Sequence, residues 1–173
     1  MLLDFEYLRN SNAITPEEGE LLYALVRATK PNVVVETGTH KMLSTHYLAQ
    51  AVKDNGFGHV TTCDPIDWEQ VAIHTVSSLH DYITYKKVRG ADLDVKDIDF
   101  LFIDGFHALR DVNEELEHFL PLLTKNALVV FHDCDDNEGN NIAGVNAAIT
   151  EKGLKTVYIK SKNRMRIYEH SGI

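Results

Sequence analysis

Short apolar runs alternate with amphipathic stretches along nearly the whole chain, and the two periods together predict its elements. Thr15-Pro16-Glu17-Glu18 combines a capping side chain, proline at the first helical position and glutamate three residues after the cap. A helix is predicted to start there, with Leu21, Leu25 and Ala28 on its inner face and Pro31 as its stop. Val33-Val34-Val35 is then a continuous apolar run, the pattern of a strand buried on both faces of a parallel sheet. Ser44 to Lys53 reads as a helix with Leu48, Ala51 and Val52 inward, followed by a strand from His59 to Cys63 and a helix from Asp67 to about Leu79. A third strand is predicted from Ile83 to Val88 and a fourth over Phe100 to Ile103. Val112, Leu116, Phe119 and Leu120 form the inner stripe of the next helix. Ala127 to Phe131 is a fifth strand, and Val145 to Ile149 belongs to a helix. Thr156 to Ile159 and Met165 to Tyr168 can pair across a short turn containing Ser161 and Asn163.

Five apolar strands with intervening helices argue an α/β fold with a doubly wound, mostly parallel sheet, and the terminal hairpin brings the sheet to seven strands with an antiparallel edge. The 173 residues suit one domain, with a core over 14–168 and an N-terminal extension over 1–13. No linker or repeat divides them. Ligands of such sheets bind beyond the carboxyl ends of the strands.

Composition narrows the partners. Seventeen basic against twenty-six acidic side chains leave a formal charge of -9, which repels a phosphate backbone and argues against nucleic acid as a partner. Two cysteines, Cys63 and Cys134, are too few for a disulfide framework, and neither a signal-like start nor an apolar run of about 18 residues stands out. A soluble, cytoplasmic protein with no membrane partner is expected.

The chemistry-bearing residues fall at the predicted strand ends. Strand one runs into Glu36-Thr37-Gly38-Thr39-His40-Lys41-Met42-Leu43-Ser44-Thr45. Asp64 ends strand two, Arg89-Gly90-Ala91-Asp92 follows strand three, Ile103-Asp104-Gly105-Phe106-His107 ends strand four and Phe131-His132-Asp133-Cys134 ends strand five. The acid-x-Gly opening with Ser-Thr at the next helix start resembles the first motif of class I S-adenosylmethionine-dependent methyltransferases, and the order and spacing of the other segments look like that family's from residue 14 to 168. Within it, Ile-Asp-Gly-x-His and Val-Val-Phe-His-Asp resemble a small-molecule branch that includes sugar and catechol O-methyltransferases.

That resemblance implies a Rossmann-like fold, S-adenosylmethionine as cofactor and a hydroxylated small molecule, such as a sugar or natural-product intermediate, as methyl acceptor. It assigns Glu36, Gly38, Thr39, Ser44, Asp64, Ala91, Asp92 and Asp104 to the cofactor, Asp104 and His107 to catalysis, and Asp104, His132 and Asp133 to a Mg²⁺ or Mn²⁺ ion. The residue types suit these tasks. Gly38 permits close backbone approach, Ser44 with the helix-start amides can receive a carboxylate, and Asp64 can accept from a ribose diol. An imidazole at His107 suits proton transfer near neutral pH, and two carboxylates with one imidazole can hold a divalent ion.

Each residue also has a plainer reading: Asp64 as a turn aspartate before Pro65, His107 as a helix-start histidine, Ala91 and Asp92 as ordinary loop positions. Trp68 and Phe106 border either a ligand or the core, and Cys134 reads as a packed thiol. The first loop departs from the glycine-rich family pattern in His40, Lys41 and Met42, which would narrow the site if Met42 points inward. A catalytically silent binding protein and a metal-dependent hydrolase or hydroxylase-like enzyme are therefore the rival functions. Without a large lid, the acceptor pocket is expected to be completed by a neighbouring subunit of a homo-oligomer.

Overall fold

The computed structural model describes residues 14–68, 77–134 and 143–172. The element order is α1 (Pro16–Thr29), β1 (Val33–Thr37), α2 (Leu43–Asn55), β2 (His59–Cys63), β3 (Ile83–Lys86), β4 (Ile98–Ile103), α3 (Leu109–Phe119), β5 (Leu123–Phe131), α4 (Ala143–Glu151), β6 (Val157–Ile159) and β7 (Met165–Glu169). Seven strands form one sheet in the order β3-β2-β1-β4-β5-β7-β6. The first five run parallel, and β7 pairs antiparallel with both β5 and β6. The expected Rossmann-like sheet with its closing hairpin is therefore the observed one.

Alternation along the strands splits the core into two layers. Phe100 and Phe102 of β4 face α1 and α2 together with Val34, Val60 and Val130. Leu101 and Ile103 face α3 and α4 together with Val35, Val129 and Phe131. The strand order reverses between β1 and β4, so the crevice beyond their carboxyl ends is the place where such sheets receive ligands. Register places Cys63, Thr37, Ile103 and Phe131 in one paired row. The next residues along each strand, Asp64, Gly38, Asp104 and His132, therefore line up on the carboxyl edge.

Some elements differ from the sequence reading. Of the predicted α1 stripe, Leu21 and Leu25 pack against the core from partly buried positions and Ala28 is exposed, while the fully buried apolar side chains of the helix are Leu22 and Val26. The helix is turned by its close approach to α2, where a Cβ at Gly19 would overlap the Tyr47 ring, and by burial of Glu18. Strand β3 ends at Lys86, before Val88. Most of the helix expected from Asp67, namely 69–76, lies outside the described residues, as does the 1–13 extension, and Ser77–Tyr82 is a 3-10 segment. Among the described residues no helix is long and apolar enough to cross a membrane.

Candidate active site

A cavity of about 270 Å³ opens at this carboxyl edge. Gly38, Thr39, Ser44, Asp64, Ala91, Asp104, His107 and Asp133 all line it, so eight of the sequence-predicted site residues converge on one space. Trp68 and Phe106 line it as well. Glu36, Asp92 and His132 do not. Asp92, which the resemblance implied for the cofactor, is exposed and lies outside the cavity lining.

The loop after β1 extends the parallel ladder: Gly38 N donates to Cys63 O at 2.9 Å and Asp104 N donates to Thr37 O at 3.1 Å. Gly38 has φ +86°, and a Cβ there would lie 2.0 Å from the Asp104 carbonyl oxygen. Only glycine fits this crossing of β1 and β4. Met42, also at positive φ, precedes α2 without a side-chain cap, so the first amides of α2 are left for another acceptor. Met42 itself is buried and does not line the cavity, which sets aside the narrowing considered above.

Glu36 lies fully buried beneath this loop. Its Oε2 accepts from Thr45 Oγ1, while Oε1 has no hydrogen-bond partner. Burial pushes its carboxyl up to about 7, against the hydroxyls of Ser44, Thr45 and Thr62. Asp64 accepts from Ile66 N at 2.9 Å and from His40 N at 3.1 Å. It is thus the turn aspartate of the plainer reading, and its cavity-facing lone pairs remain open to a diol as well.

Asp104, His107 and Asp133 form the second half of the site, each with a potential ligand atom within 4.8 Å of the others. His107 Nε2 lies 3.2 Å from Asp133 Oδ2 and 3.7 Å from Asp104 Oδ1, yet is buried without an oriented hydrogen bond. Burial opposes charge on this imidazole, but Asp104 and Asp133 outweigh it and raise its pKa above the usual value. Burial likewise works against the Asp104 carboxylate, and His132 and His107 hold it below the usual range. Such a cluster fits a cation: an orphaned ring nitrogen facing two carboxylates is satisfied by a proton or by a metal ion.

His132 was expected in the metal set, and the structure corrects this. Pleating sends His132 to the same face as Val130, beneath the rim and against α1. There Nδ1 lies 2.8 Å from Asp104 Oδ1 and Nε2 lies 3.3 Å from Glu18 Oε2, so both nitrogens already face carboxylates. Burial would push this imidazole down, but Asp104, Asp133 and Glu18 keep it well above the usual range. Asp133, at φ 51°, turns the other way and joins His107.

Glu18 was legible only as a helix cap. It does cap α1, receiving Thr15 N at 2.8 Å, and it also receives the Asn163 amide at 2.9 Å and its Nδ2 at 3.1 Å. One buried carboxylate thus ties α1, the β6–β7 turn and the site together. Arg89, His40 and Glu115 also line the cavity; the first two lie in segments singled out in the sequence without a role of their own, and no local motif announced Glu115. Cys63 and Cys134 are free and buried, and burial pushes the Cys134 thiol up to about 12, as expected for a packed group.

Residues 35–134, more than half of the chain, match the family described as methyltransferase domain. The chain belongs to this methyltransferase family. Among solved structures, cofactor-bound Rv0187 from MTB has a TM-score of 0.80 at 16% identity, covering 94% of this chain and 83% of that one. The O-methyltransferase TomG from Streptomyces achromogenes, in complex with SAM, has a TM-score of 0.75 at 17% identity, covering 97% and 86%. A methyltransferase from Geobacter sulfurreducens has a TM-score of 0.74 at 24% identity, covering 95% and 84%. Among curated proteins, the uncharacterized protein y4gI of Sinorhizobium fredii is 26% identical over 132 residues. That match covers 66% of this chain but only 14% of the much longer relative.

Proposed function

We propose that this methyltransferase moves the methyl group of S-adenosylmethionine to a hydroxyl of a small acceptor, a sugar or natural-product intermediate being the class the sequence resembles. The observation that carries the reading is the convergence of Gly38, Ser44, Asp64 and Asp104 on one cavity at the reversal point of the sheet. S-adenosylmethionine supplies an electrophilic methyl carbon on a sulfonium.

The chain's own residues do the rest. Gly38 and the loop after β1 allow close backbone contact, the uncapped amides of α2 with Ser44 receive the carboxylate end, and Asp64 accepts the ribose hydroxyls. Glu36 orders the loop from below through Thr45. His107, in its neutral form, takes the proton of the acceptor hydroxyl at Nε2, and Asp104 and Asp133 stabilise the resulting imidazolium. Holding acceptor and methyl donor in line supplies most of the catalysis. Where a Mg²⁺ or Mn²⁺ ion is held instead by Asp104, His107 and Asp133, His107 would act as a ligand rather than as the base, and the ion would polarise the acceptor oxygen and lower its pKa.

The test is calorimetric titration with S-adenosylmethionine and S-adenosylhomocysteine, with and without Mg²⁺, on the wild type and Asp64→Ala. Loss of two charge-assisted hydrogen bonds should weaken binding at least about tenfold in the variant. Wild-type protein that binds neither compound under either condition would overturn the reading.

A further inference from the structure

Neither the catalytic nor the cofactor reading gives a role to Glu115, a buried acid in the cavity wall. It stands on α3, is 5% exposed and lines the cavity. Its Oε2 accepts from Thr37 Oγ1 at 3.0 Å, and among the described residues Oε1 has no hydrogen-bond donor. Two glycines leave room for the carboxyl beside the turn after β3 and the loop after β4: a Cβ at Gly90 would lie 2.4 Å from Oε1, and one at Gly105 would lie 3.1 Å from it.

The cation that lines the same cavity, Arg89, does not pair with this carboxyl: its guanidinium is engaged with Glu114 and lies 3.7 Å from Asp111. The charges that reach Glu115 are those of Asp111 on its own helix, His107 from the loop after β4 and Arg89 from the turn after β3, and the Cys63 thiol of β2 feels Glu115 in turn. Burial, opposed by the Thr37 hydroxyl, aided by Asp111 and opposed more weakly by His107 and Arg89, pushes the carboxyl up to about 7. An acid so placed keeps or loses its proton according to the next charge brought into the cavity.

The methyl donor brings such a charge. Its sulfonium must stand within reach of an acceptor oxygen that gives its proton to His107, and Glu115 already feels the charge of His107. At an effective dielectric of ~20, a unit charge about 8 Å away shifts an ionisation equilibrium by more than about tenfold. We infer that Glu115 senses the charge on the cofactor's sulfur: it gives up its proton when the sulfonium of S-adenosylmethionine enters the cavity and takes one back when methyl transfer leaves a neutral thioether. Transfer converts sulfonium and hydroxyl into thioether, ether and one proton, which leaves through His107. Glu115 draws its own proton from water as the positive charge disappears. The ionised acid thus favours the charged donor over the spent S-adenosylhomocysteine. The inference rests on the proposed use of S-adenosylmethionine and adds to it a residue that tells donor from product.

The test is calorimetric titration without added metal, using S-adenosylmethionine and S-adenosylhomocysteine in two buffers of different ionisation enthalpy at about pH 6.5. The difference between the two compounds cancels what their shared parts do. Wild type should release about half a proton more with S-adenosylmethionine than with S-adenosylhomocysteine. Between about pH 6 and pH 7 the ratio of affinities should move about threefold or more in favour of the sulfonium compound. Glu115→Gln, which keeps an acceptor for Thr37, should lose most of both differences. Wild type that exchanges protons equally with the two compounds, or whose affinity ratio is constant with pH, overturns the inference. So does a Glu115→Gln protein that retains the full differences. These outcomes leave cofactor binding standing, whereas wild type that binds neither compound removes the cofactor reading and this inference with it.

Discussion

The crossing of β1 and β4 at Gly38 makes a quantitative demand that can be isolated with a matched control. Both Gly38 and Gly56 have positive φ, +86° and +81°, so alanine at either position takes on the left-handed strain of roughly 1 kcal/mol. They differ in surroundings: a Cβ at Gly56 meets nothing within 4 Å, whereas at Gly38 it falls 2.0 Å from the Asp104 carbonyl oxygen and 2.6 Å from its carbon. Real contacts start at about 3.0 Å, so the two strand ends must separate by about 1 Å. That opens the Asp104 N to Thr37 O hydrogen bond, now 3.1 Å. Overpacking of about 1–3 kcal/mol and an unmade buried hydrogen bond of about 1–3 kcal/mol add to the strain.

Gly38→Ala is thus expected to cost about 3–7 kcal/mol and Gly56→Ala about 1 kcal/mol. For a domain of this size the difference corresponds to a Tm lower by roughly 10 °C. Urea unfolding followed by circular dichroism at 25 °C measures both. A Gly38→Ala protein within about 0.5 kcal/mol of Gly56→Ala would refute the close approach, and with it the argument that this loop admits only glycine.

The buried acids make two more demands. Glu18→Gln leaves the charged His132 facing a neutral amide, and is expected to destabilise the fold by about 3 kcal/mol in urea unfolding near pH 7; an unchanged midpoint would show that Glu18 is only a cap. Glu36 is raised from 4.5 to about 7 in the fold, so the folded state holds its proton longer than the unfolded chain does. Its contribution is therefore full below about pH 4.5 and declines as pH rises towards 7, by about 3 kcal/mol in all. In ligand-free protein, the difference in unfolding free energy between Glu36→Gln and wild type should grow in favour of the variant across that window. A difference that stays constant with pH would contradict the buried, proton-bearing carboxyl.

The order of strands and helices was readable from the chain because each strand is an apolar run bounded by turn residues, and the parallel register follows once they alternate with helices. For the same reason the four strand-end segments could be assembled on one edge before any coordinates: Gly38, Asp64 and Asp104 are each the first residue past a paired row. Local spacing also marked Thr15 and Glu18 as a cap, which they are.

What local spacing could not carry was the direction of each side chain. His132 and Asp133 are neighbours in sequence, but pleating and the left-handed backbone at Asp133 send one under the sheet edge to Glu18 and the other into the cavity with His107. On α1 the deepest burial falls on Leu22 and Val26, with Leu21 and Leu25 only partly covered, because Tyr47 of α2, 28 positions from Gly19, sets the approach of the helix. Glu115 is an ordinary acid on an amphipathic helix until Gly90 and Gly105, from two other loops, make room for its carboxyl. Hydrophobic period and turn chemistry act over a few residues and so are written locally. The burial, pairing and ionisation of a side chain depend on segments that meet only when the sheet has formed.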